Sequence, residues 1–257
     1  RILRLGKEKY EKIVDAAVKV IKRSGMVVYP SDTVYGLGVD AANDEAVKKI
    51  FAFKGRRFGK AVSVAVDSME MAERYVELNE TAKNFYGNFL PGPYTVISNI
   101  PPSPRLPLRL RPPRIDRVET GSEASRGASK ISNYLLAENG TLGIRIPDSK
   151  LVMSLVKKLG QPITATSANL AGTGPHYSVQ SLLNTLSAKK KSLIDLVIDG
   201  GRLPRVSPST VVDTTLDSVN VLRGECKMLN KETITTKCEQ ETRNFAKKLF
   251  KQYYNPK

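Results

Sequence analysis

Between residues 8 and 23 the chain places Tyr10, Ile13, Val14, Ala17, Val20 and Ile21 on one stripe, three or four residues apart with charged residues between them. That is the period of a helix with one buried face. The apolar run "MVVYP" follows and predicts a buried strand. The alternation then repeats. Helix "NDEAVKKIFAFK", with Asn43 or Asp44 as its cap and Val47, Ile50 and Phe51 on one face, leads to strand "VSVAV" and to helix "SMEMAERYV", capped by Ser68. Helix "ETAKNFYGNFL", strand "YTVIS", helix "KISNYLLAE", strand "TLGIRI", helix "SKLVMSLVKKL", strand "PITAT", helix "VQSLLNTL" and strands "LVID", "TVVD" and "VNVL" continue it. Elements of these lengths in this order predict an α/β fold with an open sheet covered by helices.

Two stretches depart from the pattern. Residues 99–114 hold six prolines and four arginines, which excludes a helix or a central strand, and small polar residues follow. Residues 99–128 are therefore expected to form an irregular, mobile basic insertion. At the other end, Phe245, Leu249, Phe250 and Tyr253 recur at helical spacing, so 226–257 reads as a basic tail forming an amphipathic helix docked on the body. This leaves 1–225 as one domain.

Composition narrows the class of protein. A chain of 257 residues with 40% hydrophobic content can bury a full core. No run approaches the roughly 18 apolar residues of a membrane span, and the first residues lack the apolar centre of a signal peptide. Cys226 and Cys238 fit neither a disulfide framework nor a four-ligand zinc site. A soluble cytoplasmic protein with no membrane partner is the expectation. The formal net charge of +16 attracts polyanions, either nucleotides or RNA, and residues 99–130 and 226–257 supply +9 of it.

Several apparent motifs fail on spacing. "GRRFGKA" has three residues between its glycines where a phosphate loop needs four, and Ala61 stands where a metal-binding hydroxyl belongs. "GLG" at 36–38 lacks the third glycine of a dinucleotide fingerprint. His176 is the sole histidine, has no Cys, Asp or Glu at metal spacing, and reads as a loop bystander. What remains are polar clusters at strand and helix ends, where open α/β sheets bind ligands: "YPSDTVYGLG", "FKGRRFGK", "TLGIRIPD", "TSAN", and "SPSTVVD" with "VLRGE". Within them Arg145 sits inside an apolar strand, and a guanidinium there requires an anionic or carbonyl partner.

Together "PSDTVYGLG", "FKGRRFGKA", "LPGPYTV", "GIRIPD", "TSANLAG", "IDGG" and "STVVD...LRGE" resemble the YrdC/TsaC family, the L-threonylcarbamoyladenylate synthases of tRNA modification. The resemblance runs from about residue 8 to about 225, outside the insertion. It implies a single twisted mixed sheet flanked by helices, with a basic concave active site. It also implies condensation of L-threonine, bicarbonate and ATP to threonylcarbamoyl-AMP and pyrophosphate. The signature residues are Lys54, Arg56, Ser167 and Asn169. Matching positions put Thr33, Arg145, Ser167 and Ser209 at threonine. They put Lys54, Arg56, Lys60, Thr141, Asn169, Ser178 and Arg223 at ATP. Magnesium is expected to travel with ATP, since no acidic cluster is evident to hold it, and no organic cofactor is expected. The implied partners are a threonylcarbamoyl transferase and tRNA.

Three departures qualify the resemblance. Ala65 stands where longer relatives carry a histidine beside threonine, the insertion lengthens the path from "LPGPYTV" to "GIRIP", and the second domain of the longer branch is not expected. Two other readings remain. One is an RNA-binding protein of the same fold without synthase activity. The other is a carbamoyl-adenylate module like that of hydrogenase-maturation proteins, which the lack of zinc-finger and acylphosphatase segments disfavours.

Overall fold

The computed structural model describes residues 1–56, 60–101, 131–226 and 238–253, without the side chains of 248–253. The chain forms two units, Arg1–Glu225 and Cys226–Lys257. In the first, β1 (Ile2–Arg4), α1 (Tyr10–Lys22), β2 (Val27–Pro30), β3 (Tyr35–Gly38), α2 (Asp44–Lys54), β4 (Val64–Ala65), α3 (Met69–Ala72), α4 (Glu80–Phe89) and β5 (Tyr94–Asn99) come in that order. Then follow β6 (Thr141–Arg145), α5 (Lys150–Leu159), β7 (Ile163–Thr164), β8 (Thr166–Ser167), α6 (Val179–Thr185), α7 (Ala188–Lys191), β9 (Leu196–Asp199), β10 (Thr210–Asp213) and β11 (Asn220–Arg223). The second unit contains α8 (Glu239–Tyr253), where Glu239 and Arg243 pair one turn apart at 2.7 Å. Residues 102–128 of the expected insertion at 99–128 lie outside the described residues.

The α/β class holds, but the strands form two mixed sheets where one was expected. The first runs β1-β9-β2-β3-β8 and the second β11-β10-β5-β6-β4-β7. The division falls inside the segment "PITAT", which periodicity reads as one strand. β7 pairs antiparallel with β4 in the second sheet, and β8 pairs antiparallel with β3 in the first. Between them the Ala165 N–H donates to Ser63 O at 2.7 Å, and the Ala168 N–H donates to Tyr35 O at 2.7 Å. Ala165 thus keeps a backbone partner at the crossing, and one extended segment serves both sheets.

Local chemistry accounts for the element boundaries. The Asn43 side chain accepts from the Ala46 N–H at 3.0 Å, and Ser68 Oγ accepts from the Met71 N–H at 3.1 Å, capping α2 and α3 as expected. The predicted helix "KISNYLLAE" is reduced to a 3₁₀ turn at Asn133–Leu135. Its backbone bonds outward: Ser132 N–H reaches Ala41 O at 2.9 Å, and Leu135 O accepts from Val62 N–H at 3.1 Å. Likewise, regular helix in "SMEMAERYV" stops at Ala72. Among the described residues no helix is long and apolar enough to cross a membrane.

β3 was not among the expected strands, and it holds two glycines. Packing supplies their reason. Tyr29 of β2 lies opposite Gly36, and a Cβ at Gly36 or Gly38 would come within 2.8 Å of its ring. Tyr29 is buried, and its hydroxyl donates to Thr164 O at 3.1 Å, so the ring cannot swing away. The "GLG" sequence is thus a seat for an aromatic ring. Gly36→Ala is expected to cost about 1–3 kcal/mol of stability through overpacking, read by urea denaturation followed by circular dichroism. A change under about 0.5 kcal/mol would show that the ring can yield.

Candidate active site

Where the two sheets meet, the first unit encloses a cavity of about 540 Å³. The β2–β3 turn, the end of α2, strands β5 and β6, the β7–β8 segment, Ser209 and Arg223 line it. Ten of the eleven residues singled out from the sequence meet there: Thr33, Lys54, Arg56, Lys60, Thr141, Arg145, Ser167, Asn169, Ser209 and Arg223. Ser178 does not line it; its hydroxyl caps α6 by accepting from the Ser181 N–H at 3.2 Å. Ala65 is fully buried in β4, paired in register with Arg145, and is not among the lining residues.

Arg145 finds the anionic partner that its burial demands. Its Nη2 donates to both carboxylate oxygens of Asp32, at 2.8 and 3.1 Å, and Nη1 reaches Thr33 Oγ1 at 3.5 Å. Both side chains are more than nine-tenths buried, and Arg145 Nε–H has no partner. Asp32 was missed from the sequence, although the need for an anionic or carbonyl partner near Arg145 was legible. The Asp148 N–H donates to the same carboxylate at 3.3 Å. A pair this dry survives only when such additional hydrogen bonds offset the desolvation of both charges.

Lys54 behaves differently. Its ammonium donates to the carbonyls of Ser167 and Asn169 at 2.7 and 3.1 Å and lies 3.4 Å from Asn169 Oδ1. Ser167 Oγ donates to that same Oδ1, and the Asn169 amide donates to the carbonyls of Leu170 and Thr173. Lys54 therefore holds the S-x-N segment in shape. Burial, and then the neighbouring Arg56 guanidinium, lower its pKa to about 8.

Arg56 Nη2 donates to the carbonyls of Lys60 and Ala61, both at 3.3 Å, while its buried Nε–H has no partner. Arg223 Nη2 donates to Ser209 O at 2.9 Å, and the Ser209 hydroxyl meets Thr95 Oγ1 at 3.0 Å, a second residue the sequence did not reveal. Burial and then the Arg145 charge push Arg223 below the usual guanidinium range. Five cationic side chains thus line the cavity, with no carboxylate among its described lining residues. His176 lies outside it, with its ring nitrogens against Ser181 and Thr185. Among the described residues no group of three or more His, Cys, Asp or Glu is placed to hold a metal ion.

This arrangement can be set beside known proteins. Residues 19–115 and 123–224 match the Sua5/YciO/YrdC family profile, described as telomere recombination, a span containing the whole cavity lining. The chain belongs to the Sua5/YciO/YrdC family. A Methanocaldococcus jannaschii relative, provisionally named threonylcarbamoyl-AMP synthase, is 29% identical over 225 residues, covering 87% of this chain and 90% of its own. The structure of P. abyssi Sua5 complexed with L-threonine is 26% identical with a TM-score of 0.69. That match covers 87% of this chain and 57% of Sua5, so the chain spans little more than half the Sua5 length. E. coli YciO shares the fold at 24% identity and a TM-score of 0.65, over 86% of this chain and 93% of its own.

The lowered Lys54 pKa predicts how this family member's cavity responds to pH. Below about 8 Lys54 carries its proton; as pH rises through that value the cavity loses one positive charge and one donor to the S-x-N segment. Sulfate, which does not itself titrate in this range, should bind with constant affinity from about pH 6.5 to 7.5 and weaken above about 8. Lys54→Arg should keep affinity level to about pH 9.5. Calorimetric titration tests this, and a level wild-type profile across pH 8 would contradict it.

Proposed function

We propose that this chain is a threonylcarbamoyl-AMP synthase, condensing L-threonine, bicarbonate and ATP to threonylcarbamoyl-AMP and pyrophosphate. One observation carries the reading: five cationic side chains surround a neutral S-x-N segment in one cavity of a member of this family. The M. jannaschii relative's name and the threonine-bound Sua5 structure support the substrate class.

The chemistry would proceed in two steps. The threonine amine attacks the carbon of bicarbonate, water leaves, and a carbamate forms. A carbamate oxygen then attacks the α-phosphorus, and the bond to the bridging oxygen breaks to release pyrophosphate. Neither step needs a protein nucleophile, so positioning and charge neutralisation would supply the catalysis. Arg145, with Thr33 and Ser209, would take the threonine carboxylate and hydroxyl. Arg56, Lys60 and Arg223 would face the phosphates, with Thr141 beside the nucleotide. Lys54 would act chiefly by holding Ser167 and Asn169, whose neutral groups lie where a further full charge would favour one anionic substrate over the other. Magnesium would accompany the triphosphate, and a transferase would pass the threonylcarbamoyl group to tRNA adenosine beside the anticodon.

The net charge of +16 favours one rival, an RNA-binding protein of this fold. Omitting each substrate separates the two. Pyrophosphate release should require threonine, bicarbonate and ATP together, and equal release without threonine would overturn the synthase reading.

The division of the cavity makes a second prediction. Arg145→Ala should weaken threonine binding roughly 10- to 100-fold, and ATP much less. Arg56→Ala should do the reverse, because a charge-assisted bond to a carboxylate or phosphate is worth about 1.5–3 kcal/mol. Calorimetry with each ligand reads the contrast, provided thermal melts show that both variants are folded; identical losses in both variants would contradict the division.

A further inference from the structure

We infer that Asp32 divides the cavity by charge, reserving Arg145 for a single carboxylate and denying it to phosphate. The inference rests on the synthase reading for the identity of the carboxylate ligand, but the division itself can be tested without threonine. Among the described residues, Arg145 is the cationic lining residue with an ion-pair partner, Asp32 at 2.8 Å. Lys54, Arg56 and Arg223 donate to neutral carbonyl and hydroxyl oxygens instead. The cavity therefore holds one cation already neutralised by a carboxylate beside others that are not.

Donor geometry strengthens the division. Asp32 takes both of its contacts from Nη2, leaving Nε–H without a partner and Nη1 with one long contact to Thr33. Nη1 so placed can still give a hydrogen bond to a ligand carboxylate. A polyphosphate at the same point would bring several negative charges against the buried Asp32 carboxylate, where the surroundings screen them weakly. The Asp148 N–H and Arg145 hold Asp32 from two sides, which fixes the repelling charge in place. Repulsion of the wrong ligand is an established route to specificity. It matters here because the reaction needs two anionic ligands side by side in a cavity that would otherwise admit phosphate throughout.

The test uses inorganic pyrophosphate as probe. Calorimetry should give one pyrophosphate per wild-type chain and two for Asp32→Asn, since Asn retains an acceptor for Arg145 but not the charge. Asp32→Asn/Arg145→Gln should return to one. In the variant, saturating pyrophosphate should also weaken threonine at least tenfold. A stoichiometry of one in a folded Asp32→Asn would overturn the inference. Should that variant fail to fold, the wild type decides: saturating pyrophosphate should change its threonine affinity less than twofold, and direct competition would overturn the division. Absence of threonine binding to the wild type would overturn the synthase reading and leave the stoichiometry test standing.

Discussion

The site depends on one buried ion pair. Arg145 comes from β6 in the second sheet and Asp32 from the turn joining β2 and β3 in the first, so their bond fastens the sheets across the cavity. Either charge alone would be costly in that environment. Together they give the cavity a fixed wall while leaving part of the guanidinium unsatisfied. Binding and stability meet at this guanidinium: Nη2 is committed to Asp32, while Nη1 keeps only a long contact to Thr33.

The S-x-N segment is the second link between sheets, and it works by neutral bonds. Residues 163–167 pass from β4 to β3, and Lys54 gathers the carbonyls just beyond that crossing. The end of α2 thereby sets the shape of a segment more than a hundred positions away in sequence. Thr164 also accepts the Tyr29 hydroxyl, so the ring seated over Gly36 and Gly38 braces the same crossing from below. Core packing and site geometry are thus one set of contacts along the line where the sheets meet.

Much of this was legible in the sequence, for identifiable reasons. Helix periods and caps are local, so Asn43 and Ser68 were readable directly. The cavity residues stood out as polar clusters at strand and helix ends, and their assignment came through the resemblance to a family. What escaped depended on distant partners. The two glycines of β3 make sense only with Tyr29 above them, and "PITAT" divides only because β3 and β4 lie on either side of it. Asp32 carries no local signal of its role, and only the fold brings it to Arg145. Ser178 is not among the lining residues, and its hydroxyl bonds as a helix cap.

The most direct measurement is a crystal structure of the chain with L-threonine bound. The account predicts the ligand carboxylate on Nη1 of Arg145, with Asp32 still bonded to Nη2 and the hydroxyls of Thr33 and Ser209 turned toward the ligand. Threonine bound elsewhere, or bound by expelling Asp32 from Arg145, would contradict it.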